Sequence, residues 1–270
     1  MPPPIALRPS GLNGVSIPVS RPTTTAPTTP VATTARPDPL AVTAANGTSF
    51  SPVDRATLES KMREALALGA DVPGRIQDGP TCGLYALGMV MDFWDSKNPA
   101  NQNPLVREED TVRWDSHSLA PDTNQRLLDV AKGKGFTTQG EMFYADQLGE
   151  LAEHFGYNAS VKSGMTLDDI KACVDRDHPA LIGFDVDSQG NPGLFGGKRA
   201  HWAVIEGYFQ KDGVDYLVAT HGWTGKEYVW KAADFMASVN QLDKSDFPAA
   251  PRDITQTLKA RLVEVWPGQP

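Results

Sequence analysis

The sequence is poor in cysteine, since its 270 residues contain only Cys82 and Cys173. Two cysteines are too few for the disulfide framework of a small secreted domain, so we expect free thiols in a reducing compartment. The closely spaced Cys or His pairs that bind zinc are missing as well. We therefore expect neither a metal nor another cofactor.

Long hydrophobic runs are also missing. No apolar run approaches the roughly 18–20 residues of a membrane-spanning helix, and no hydrophobic signal segment follows Met1. Positive charge is scarce, because 25 Lys and Arg against 33 Asp and Glu give a formal net charge of −8. This balance argues against a nucleic-acid-binding surface. We expect a chain without membrane or nucleic-acid partners, and a monomer.

Aromatic residues are absent before Phe50, whereas residues 1–52 hold 11 of the 22 prolines. Such a segment cannot bury enough apolar surface to offset its ordering entropy. We predict a disordered leader over 1–52 and one folded domain over 53–270. The leader is either a plain tail of a cytoplasmic protein or an address for a bacterial secretion machine. In the second case the protein is secreted without a cleavable signal and acts in host cytosol.

Helical patterns dominate the first part of the folded domain and strand patterns the last part, which predicts an α+β fold. The predicted helices contain Leu58–Leu66, Leu84–Trp94, Leu127–Ala131, Leu148–Phe155, Leu167–Val174 and 231–239. The predicted strands are His178–Val186, Ala200–Tyr208, Tyr216–His221, Lys226–Trp230 and Leu258–Trp266. A polar segment over 95–123, with Trp114 and His117, is expected to be a surface loop. Glycine-rich 188–198 is expected to be a mobile loop.

The segment from Gln77 to Trp94 changes from a polar loop to an apolar helix, and Cys82 lies at the change. Pro80 and the potential cap Thr81 place Cys82 at the helix start. Backbone N–H groups and the helix dipole there are expected to lower the thiol pKa. Gln77 could donate its amide to an oxyanion at the same place. The alternative is that Cys82 is simply a small buried residue.

His201 is the predicted partner of Cys82, because it opens a strand directly after the glycine-rich loop. An imidazole beside a thiol can take its proton and later protonate the leaving group. The alternative is a core histidine bonded to a backbone carbonyl. Cys173 lies on the apolar face of a helix with Leu167, Ile170 and Val174, and we predict that it belongs to the core.

Three segments carry a common signature: Gln77–Leu84, His178–Asp185 and His201–Tyr208. Together they resemble the papain-like cysteine peptidase superfamily, and within it the C39-like branch and the actin maturation protease family. Two later segments, Leu217–Trp223 and Trp230 with Ser238–Leu242, also resemble the actin maturation protease family. The resemblance covers roughly residues 70–245. It implies a papain-like fold, in which an N-terminal helical part with the cysteine helix packs on a C-terminal antiparallel sheet.

The resemblance also implies roles for single residues. Cys82 matches the nucleophile, His201 the general base and acid, and Gln77 the oxyanion-hole glutamine. Papain-type enzymes place Asn or Asp on the strand after the histidine, whereas His221 stands at the matching position in this chain. An imidazole can accept a hydrogen bond from His201 but supplies no negative charge. Either His221 orients His201, or a Cys–His dyad is assisted by Asp185 or Asp187.

The function implied by the resemblance is a cysteine protease that acts on a protein substrate through a Cys82 thioester. If the leader is a secretion address, the protein is a bacterial effector and its substrate is a eukaryotic host protein. A protein-glutamine deamidase or a transglutaminase would use the same thioester and is the alternative. A third hypothesis is a non-enzymatic binding module, which the presence of Gln77, Cys82 and His201 disfavours.

Overall fold

The computed structural model of the chain describes residues 72–97 and 127–268. These residues form helices and an antiparallel sheet, so the fold is α+β as predicted. The helices are α1 (Cys82–Lys97), α2 (Leu127–Gly133), α3 (Ala145–His154), α4 (Leu167–Val174) and α5 (Ala232–Asn240). The strands are β1 (Tyr157–Ser163), β2 (Ala180–Asp185), β3 (Ala200–Lys211), β4 (Val214–Thr220), β5 (Glu227–Lys231) and β6 (Arg261–Pro267). None of the described helices is long and apolar enough to cross a membrane.

The strands lie in the order β1-β6-β2-β3-β4-β5, and each neighbouring pair is antiparallel. Strands β2 to β5 form a meander, whereas the C-terminal strand β6 lies between β1 and β2. In the register of β2 and β3, Phe184 is opposite His201 and Asp185 is opposite Ala200. The start of β3 therefore meets the end of β2, and the glycine-rich loop joins them at the same end of the sheet.

Two local sequence signals form the structures that they predict. Asp212 and Gly213 connect β3 and β4 with positive φ angles of 50° and 76°, as a tight Asp-Gly turn requires. Thr166 caps α4, since its hydroxyl accepts the Asp169 N–H while the Asp169 carboxylate accepts the Thr166 N–H. Both signals act over a few residues and are independent of the rest of the fold.

Helix α1 is buried on nearly all sides. It packs on β3 and β6 and also contacts α2 and α3. Its half-buried Trp94 donates Nε1–H to the Val265 carbonyl on β6 at 2.8 Å. On the other face of the sheet, α4 and α5 cover a second core. Cys173 is 0% exposed within that core, which confirms its predicted structural role.

Three details differ from the sequence analysis. Strand β1 was not predicted, because it pairs only with β6 at the sheet edge and its half-exposed residues lack a clear apolar alternation. Residues 95–97 belong to α1 and not to a loop. The segment 188–198 is tied to the fold, because the Asp185 carboxylate accepts backbone N–H groups from it.

Some predicted features lie outside the described residues. They are the leader 1–52, the helix over Leu58–Leu66, and most of the loop over 95–123 with Trp114 and His117.

Candidate active site

Cys82 is the first residue of α1 and is half-buried. The Thr81 carbonyl accepts the Tyr85 N–H at 2.9 Å and so begins the helix. The Thr81 hydroxyl donates to the Asp78 carbonyl at 2.5 Å, a bond that the sequence analysis did not predict. A Cβ at Gly83 would lie 2.8 Å from Met142 Cβ. Close packing against Met142 therefore requires glycine at position 83.

The expected lowering of the Cys82 pKa is wrong for the free protein. Burial raises the pKa of the Cys82 thiol to about 11, although the backbone N–H groups of Trp202, Gly83 and Cys82 itself favour the thiolate. The cost of dehydrating a thiolate here exceeds the stabilisation from the helix start. At neutral pH the resting state of Cys82 is the thiol.

Cys82 and His201 line one cavity of about 540 Å³. Gln77 lines it as well, so three of the four predicted site residues share one cavity. Trp223 forms another part of its wall. Other parts of its wall are apolar: Met142, Phe143, Phe247 and Leu258. Lys198, Arg199 and Asp246 add charged groups. A cavity with an apolar wall and a few polar groups is the usual form of a ligand site.

His221 lies behind His201. His201 Nε2 is 3.0 Å from His221 Nδ1, and His221 Nε2 is 3.0 Å from the Gly190 carbonyl oxygen. Both rings are buried, with 4% of His201 and 0% of His221 exposed. The Phe184 ring contacts both imidazoles edge-on. The predicted pair of histidines is thus in direct contact, with His201 at the start of β3 and His221 directly after β4.

Burial lowers the pKa of both histidines. The pKa of His201 lies well below 6.5, because burial and then the charge of His221 disfavour the imidazolium. Burial lowers the pKa of His221 to about 4, against the Gly190 carbonyl, which favours the protonated ring. Both rings are therefore neutral at neutral pH.

The hydrogen bonds then assign the tautomers of the two rings. The Gly190 carbonyl can only accept, so the Nε2 of His221 carries the hydrogen and its Nδ1 is an acceptor. His201 donates its Nε2–H to that acceptor. The Nδ1 of His201 is left unprotonated, which is the form that can take a proton from a thiol.

The two aspartates considered as alternatives to His221 accept hydrogen bonds from the backbone of the loop between β2 and β3. Asp185 and Asp187 are buried, and among the described hydrogen bonds neither contacts His201. The Asp185 carboxylate accepts backbone N–H groups of Phe195, Gly197 and Arg199. The Asp187 carboxylate accepts those of Gln189 and Asn191.

Gln77 is fixed by the residue that follows His221. Its backbone N–H donates to the Gly222 carbonyl at 2.7 Å, and its Nε2 donates to the Gly79 carbonyl at 2.9 Å. A Cβ at Gly222 would come 2.8 Å from Gln77 Cβ, so the approach requires glycine. The amide nitrogen carries two hydrogens, so one remains for a ligand in the cavity.

Sequence reasoning missed the Gly190 carbonyl and the Trp202 backbone N–H, which contact His221 and the Cys82 sulfur. Backbone groups have no residue-type signature. An indirect signal exists only for Gly190, which follows Asp187 at the spacing of an Asx turn. As for metals, no group of three or more His, Cys, Asp or Glu in the described part of the chain could hold an ion.

The fold and this cavity define an α+β protein with a cysteine at a helix start and a buried histidine pair beside it. A family model described as "Actin maturation protease-like, C-terminal domain" matches residues 72–209, from the approach to α1 through most of β3. The match includes Gln77, Cys82 and His201, and it ends before His221. The chain belongs to the actin maturation protease-like family.

Curated proteins named actin maturation protease are similar to part of this chain. The chain is 35% identical over 143 residues to the actin maturation protease of Bos taurus, covering 51% of this chain and 35% of the relative. It is 34% identical over 157 residues to that of Danio rerio, covering 55% and 43%. The Drosophila melanogaster protein is 29% identical over 161 residues, covering 57% and 50%. The chain thus spans between about a third and a half of the length of these relatives.

The raised thiol pKa gives a testable pH dependence of alkylation. Because the pKa of Cys82 is about 11, the thiolate fraction is expected to rise about tenfold per pH unit from about pH 7 to about pH 10. The rate of iodoacetamide labelling, followed by intact mass spectrometry, should rise in parallel. A plateau already reached below about pH 7 would instead show a preformed thiolate–imidazolium pair.

The second cysteine is the internal control for this measurement. Cys173 is 0% exposed, so it should resist labelling until the protein is unfolded. In a Cys82→Ser variant, any remaining labelling comes from Cys173. Equal labelling of the two cysteines in the native protein would contradict both assignments.

Proposed function

We propose that the chain is a papain-like cysteine protease that hydrolyses a peptide bond of a protein substrate through Cys82. The observation that carries the proposal is the shared cavity of Cys82 and His201, with His201 Nε2 bonded to His221 Nδ1 at 3.0 Å. A nucleophile, a base and a group that orients the base are the parts that covalent acyl transfer requires.

The first half of the reaction forms the thioester. The Cys82 sulfur attacks the substrate carbonyl carbon while its proton moves to His201 Nδ1, and the carbonyl π pair moves to the oxygen. When the tetrahedral intermediate collapses, the C–N bond breaks and His201 returns the proton to the leaving amine. Because thiol and imidazole are both neutral at rest, the transfer of the proton from the sulfur to His201 is part of this half of the reaction.

The second half hydrolyses the thioester. His201 Nδ1 takes a proton from a water molecule whose oxygen attacks the same carbonyl carbon. The C–S bond then breaks and the proton returns to the sulfur, which releases a carboxylic acid and restores Cys82. His221 keeps the imidazole oriented through both halves and stabilises the positive charge only as a hydrogen-bond acceptor.

The oxyanion of each intermediate needs donors at the start of α1. The free hydrogen on Gln77 Nε2 is one, and it can act without giving up the bond to Gly79. The backbone N–H groups that point at the sulfur are available when the sulfur becomes bonded to carbon. Such donors act in a partly dehydrated cavity, where each contributes more than in water.

The relatives are named for the maturation of actin, and we take actin as the first substrate to test. The proposal that the protein is a secreted bacterial effector with a host target depends on residues 1–52, which lie outside the described residues. If the protein is such an effector, its substrate would be the actin of a eukaryotic host. A reducing cytosol suits an enzyme that needs a free thiol, and both cysteines are free.

Intact mass spectrometry of actin incubated with the protein tests the proposal. Hydrolysis gives two fragments whose masses sum to that of actin plus one water, about 18 Da, whereas deamidation adds about 1 Da to an intact chain and transglutamination links two chains. We expect fragments with the wild type, none with Cys82→Ala, and fragments again with Cys173→Ala as the matched cysteine control. A mass shift of about 1 Da or cross-linked chains in place of fragments would assign the thioester to the alternative chemistry.

A further inference from the structure

The loop between β2 and β3 holds a polar turn that the reaction scheme does not use. Asp187 Oδ1 accepts the backbone N–H groups of Gln189 and Asn191, both at 2.8 Å. The Asp187 N–H donates to the Asn191 carbonyl at 2.8 Å, and the Gly190 N–H donates to the Asp187 carbonyl at 3.3 Å. Four hydrogen bonds thus close a turn of five residues and fix the direction of the Gly190 carbonyl.

The turn is also packed tightly against the aromatic ring beside His221. Gly190 has a φ of +91°, and a Cβ there would lie 2.4 Å from the Tyr228 hydroxyl oxygen. The Tyr228 ring stacks on the His221 ring with centroids 4.5 Å apart and planes at 23°. Only glycine can combine this conformation with this approach. The same contacts place the Gly190 carbonyl 3.0 Å from His221 Nε2.

We propose that Asp187 and Gly190 are positioning residues: the Asp187 turn presents the Gly190 carbonyl to His221 Nε2 and so sets the tautomers of His221 and His201. The carbonyl is an acceptor and forces the hydrogen of His221 onto Nε2. The acceptor Nδ1 of His221 then holds the hydrogen of His201 on Nε2 and leaves Nδ1 of His201 free as the base.

Without the Gly190 carbonyl as an acceptor, His221 and His201 would no longer be held in these tautomers. With its hydrogen on Nδ1, His221 would donate to His201 Nε2, and the hydrogen of His201 would move to Nδ1. That ring could no longer take a proton from Cys82. In the Ser-His-Asp enzymes a wrong tautomer of the base lowers kcat by about 10⁴-fold. A partial loss of order should therefore cost on the order of 10-fold to 100-fold.

The same geometry explains how Asp187 can matter without touching His201. Its role requires one acceptor oxygen and not a negative charge. Asp187→Asn keeps an Oδ1 that can accept both N–H groups, whereas Asp187→Ala removes the acceptor. A direct electrostatic role would make the two substitutions equally damaging.

The test combines a spectroscopic and a kinetic measurement on the full chain. ¹H–¹⁵N NMR of histidine-labelled protein at neutral pH reports the tautomer of each ring, and single His→Asn variants assign the signals. We expect the Nε2–H form for both His201 and His221. In Asp187→Ala we expect a mixed tautomer at His221, and kcat for actin lower by about 10-fold to 100-fold with KM within about twofold. Asp187→Asn should retain the wild-type tautomers and most of kcat.

Asp253→Ala is the matched control, because the exposed Asp253 closes a similar turn by accepting the Thr255 N–H at 2.8 Å. It should behave as wild type in both measurements. The kinetic part rests on the proposed function, but the tautomers are measured without substrate, so the two can fail separately. A wild-type His221 with its hydrogen on Nδ1, or unchanged tautomers in Asp187→Ala, would overturn the inference even if actin is cleaved. If Asp187→Ala does not fold, the hydrogen positions measured on His221 and His201 of the wild type still test whether the Gly190 carbonyl sets the tautomers.

Discussion

Replacement of Asp185 by alanine is expected to lower the free energy of unfolding by about 3–5 kcal/mol, because several buried donors lose their acceptor and each unsatisfied donor costs about 1–3 kcal/mol. The carboxylate is 0% exposed and accepts hydrogen bonds from the backbone N–H groups of Phe195, Gly197 and Arg199. It also accepts one from the Gln241 side chain at 2.8 Å. Removal of the carboxylate leaves several donors without an acceptor at once.

Urea or thermal unfolding would measure this effect, with an expected fall in Tm of about 10 °C for a domain of this size. Asp185→Asn should cost less, because one oxygen remains as an acceptor. Asp243→Ala is the control, since Asp243 forms an exposed ion pair with Lys259 and should change stability by less than about 0.5 kcal/mol. A fully stable Asp185→Ala variant without activity would instead assign Asp185 to the chemistry.

The fold features that could be predicted from sequence depend on local signals. The capping box of Thr166 and Asp169, the turn at Asp212, and the apolar face that buries Cys173 are each determined within a few residues. The order of the sheet could not be predicted. Strand β1 is polar and lies at an edge, and the insertion of β6 between β1 and β2 depends on pairing over about a hundred residues.

The candidate site divides in the same way. The start of a helix at Cys82 and of a strand at His201 follows from sequence pattern. The thiol pKa does not, because the burial that raises it comes from segments distant in the chain. The position of Gln77 depends on a hydrogen bond to Gly222, 145 residues later in the chain. The acceptor for His221 is the backbone carbonyl of Gly190. Such contacts appear only once the chain is folded.

Replacement of the two histidines is expected to give a graded loss of the proposed activity. His201→Ala removes the base and should abolish turnover, a loss on the order of 10⁴-fold or more. His221→Ala leaves His201 without its acceptor at 3.0 Å. A free imidazole samples wrong orientations, so the loss should be on the order of 10-fold to 1000-fold. His221→Asn should be mildest, because its carbonyl oxygen can accept the same hydrogen bond.

The comparison needs kcat and KM for each variant with the same substrate, together with an unfolding curve. His154→Ala is the matched histidine control, since His154 is exposed on α3, and its kinetics should equal those of the wild type. An orienting role predicts a fall in kcat with KM nearly unchanged, because His221 lies behind His201 and does not itself line the cavity. A fall in stability alone would mark His221 as a core residue.

The pH profile separates orientation from packing. Burial and the neighbouring His221 hold the pKa of His201 well below 6.5. The neutral base is therefore present above that low pKa, and the acid limb of kcat/KM in the wild type should lie below about pH 6.5. His221→Ala removes the second cause and lets water reach His201, so the pKa should rise and the acid limb should move to higher pH. If His221→Ala matches the wild type in rate and profile while Asp187→Asn loses activity, then an aspartate orients His201 and the assignment of His221 is wrong.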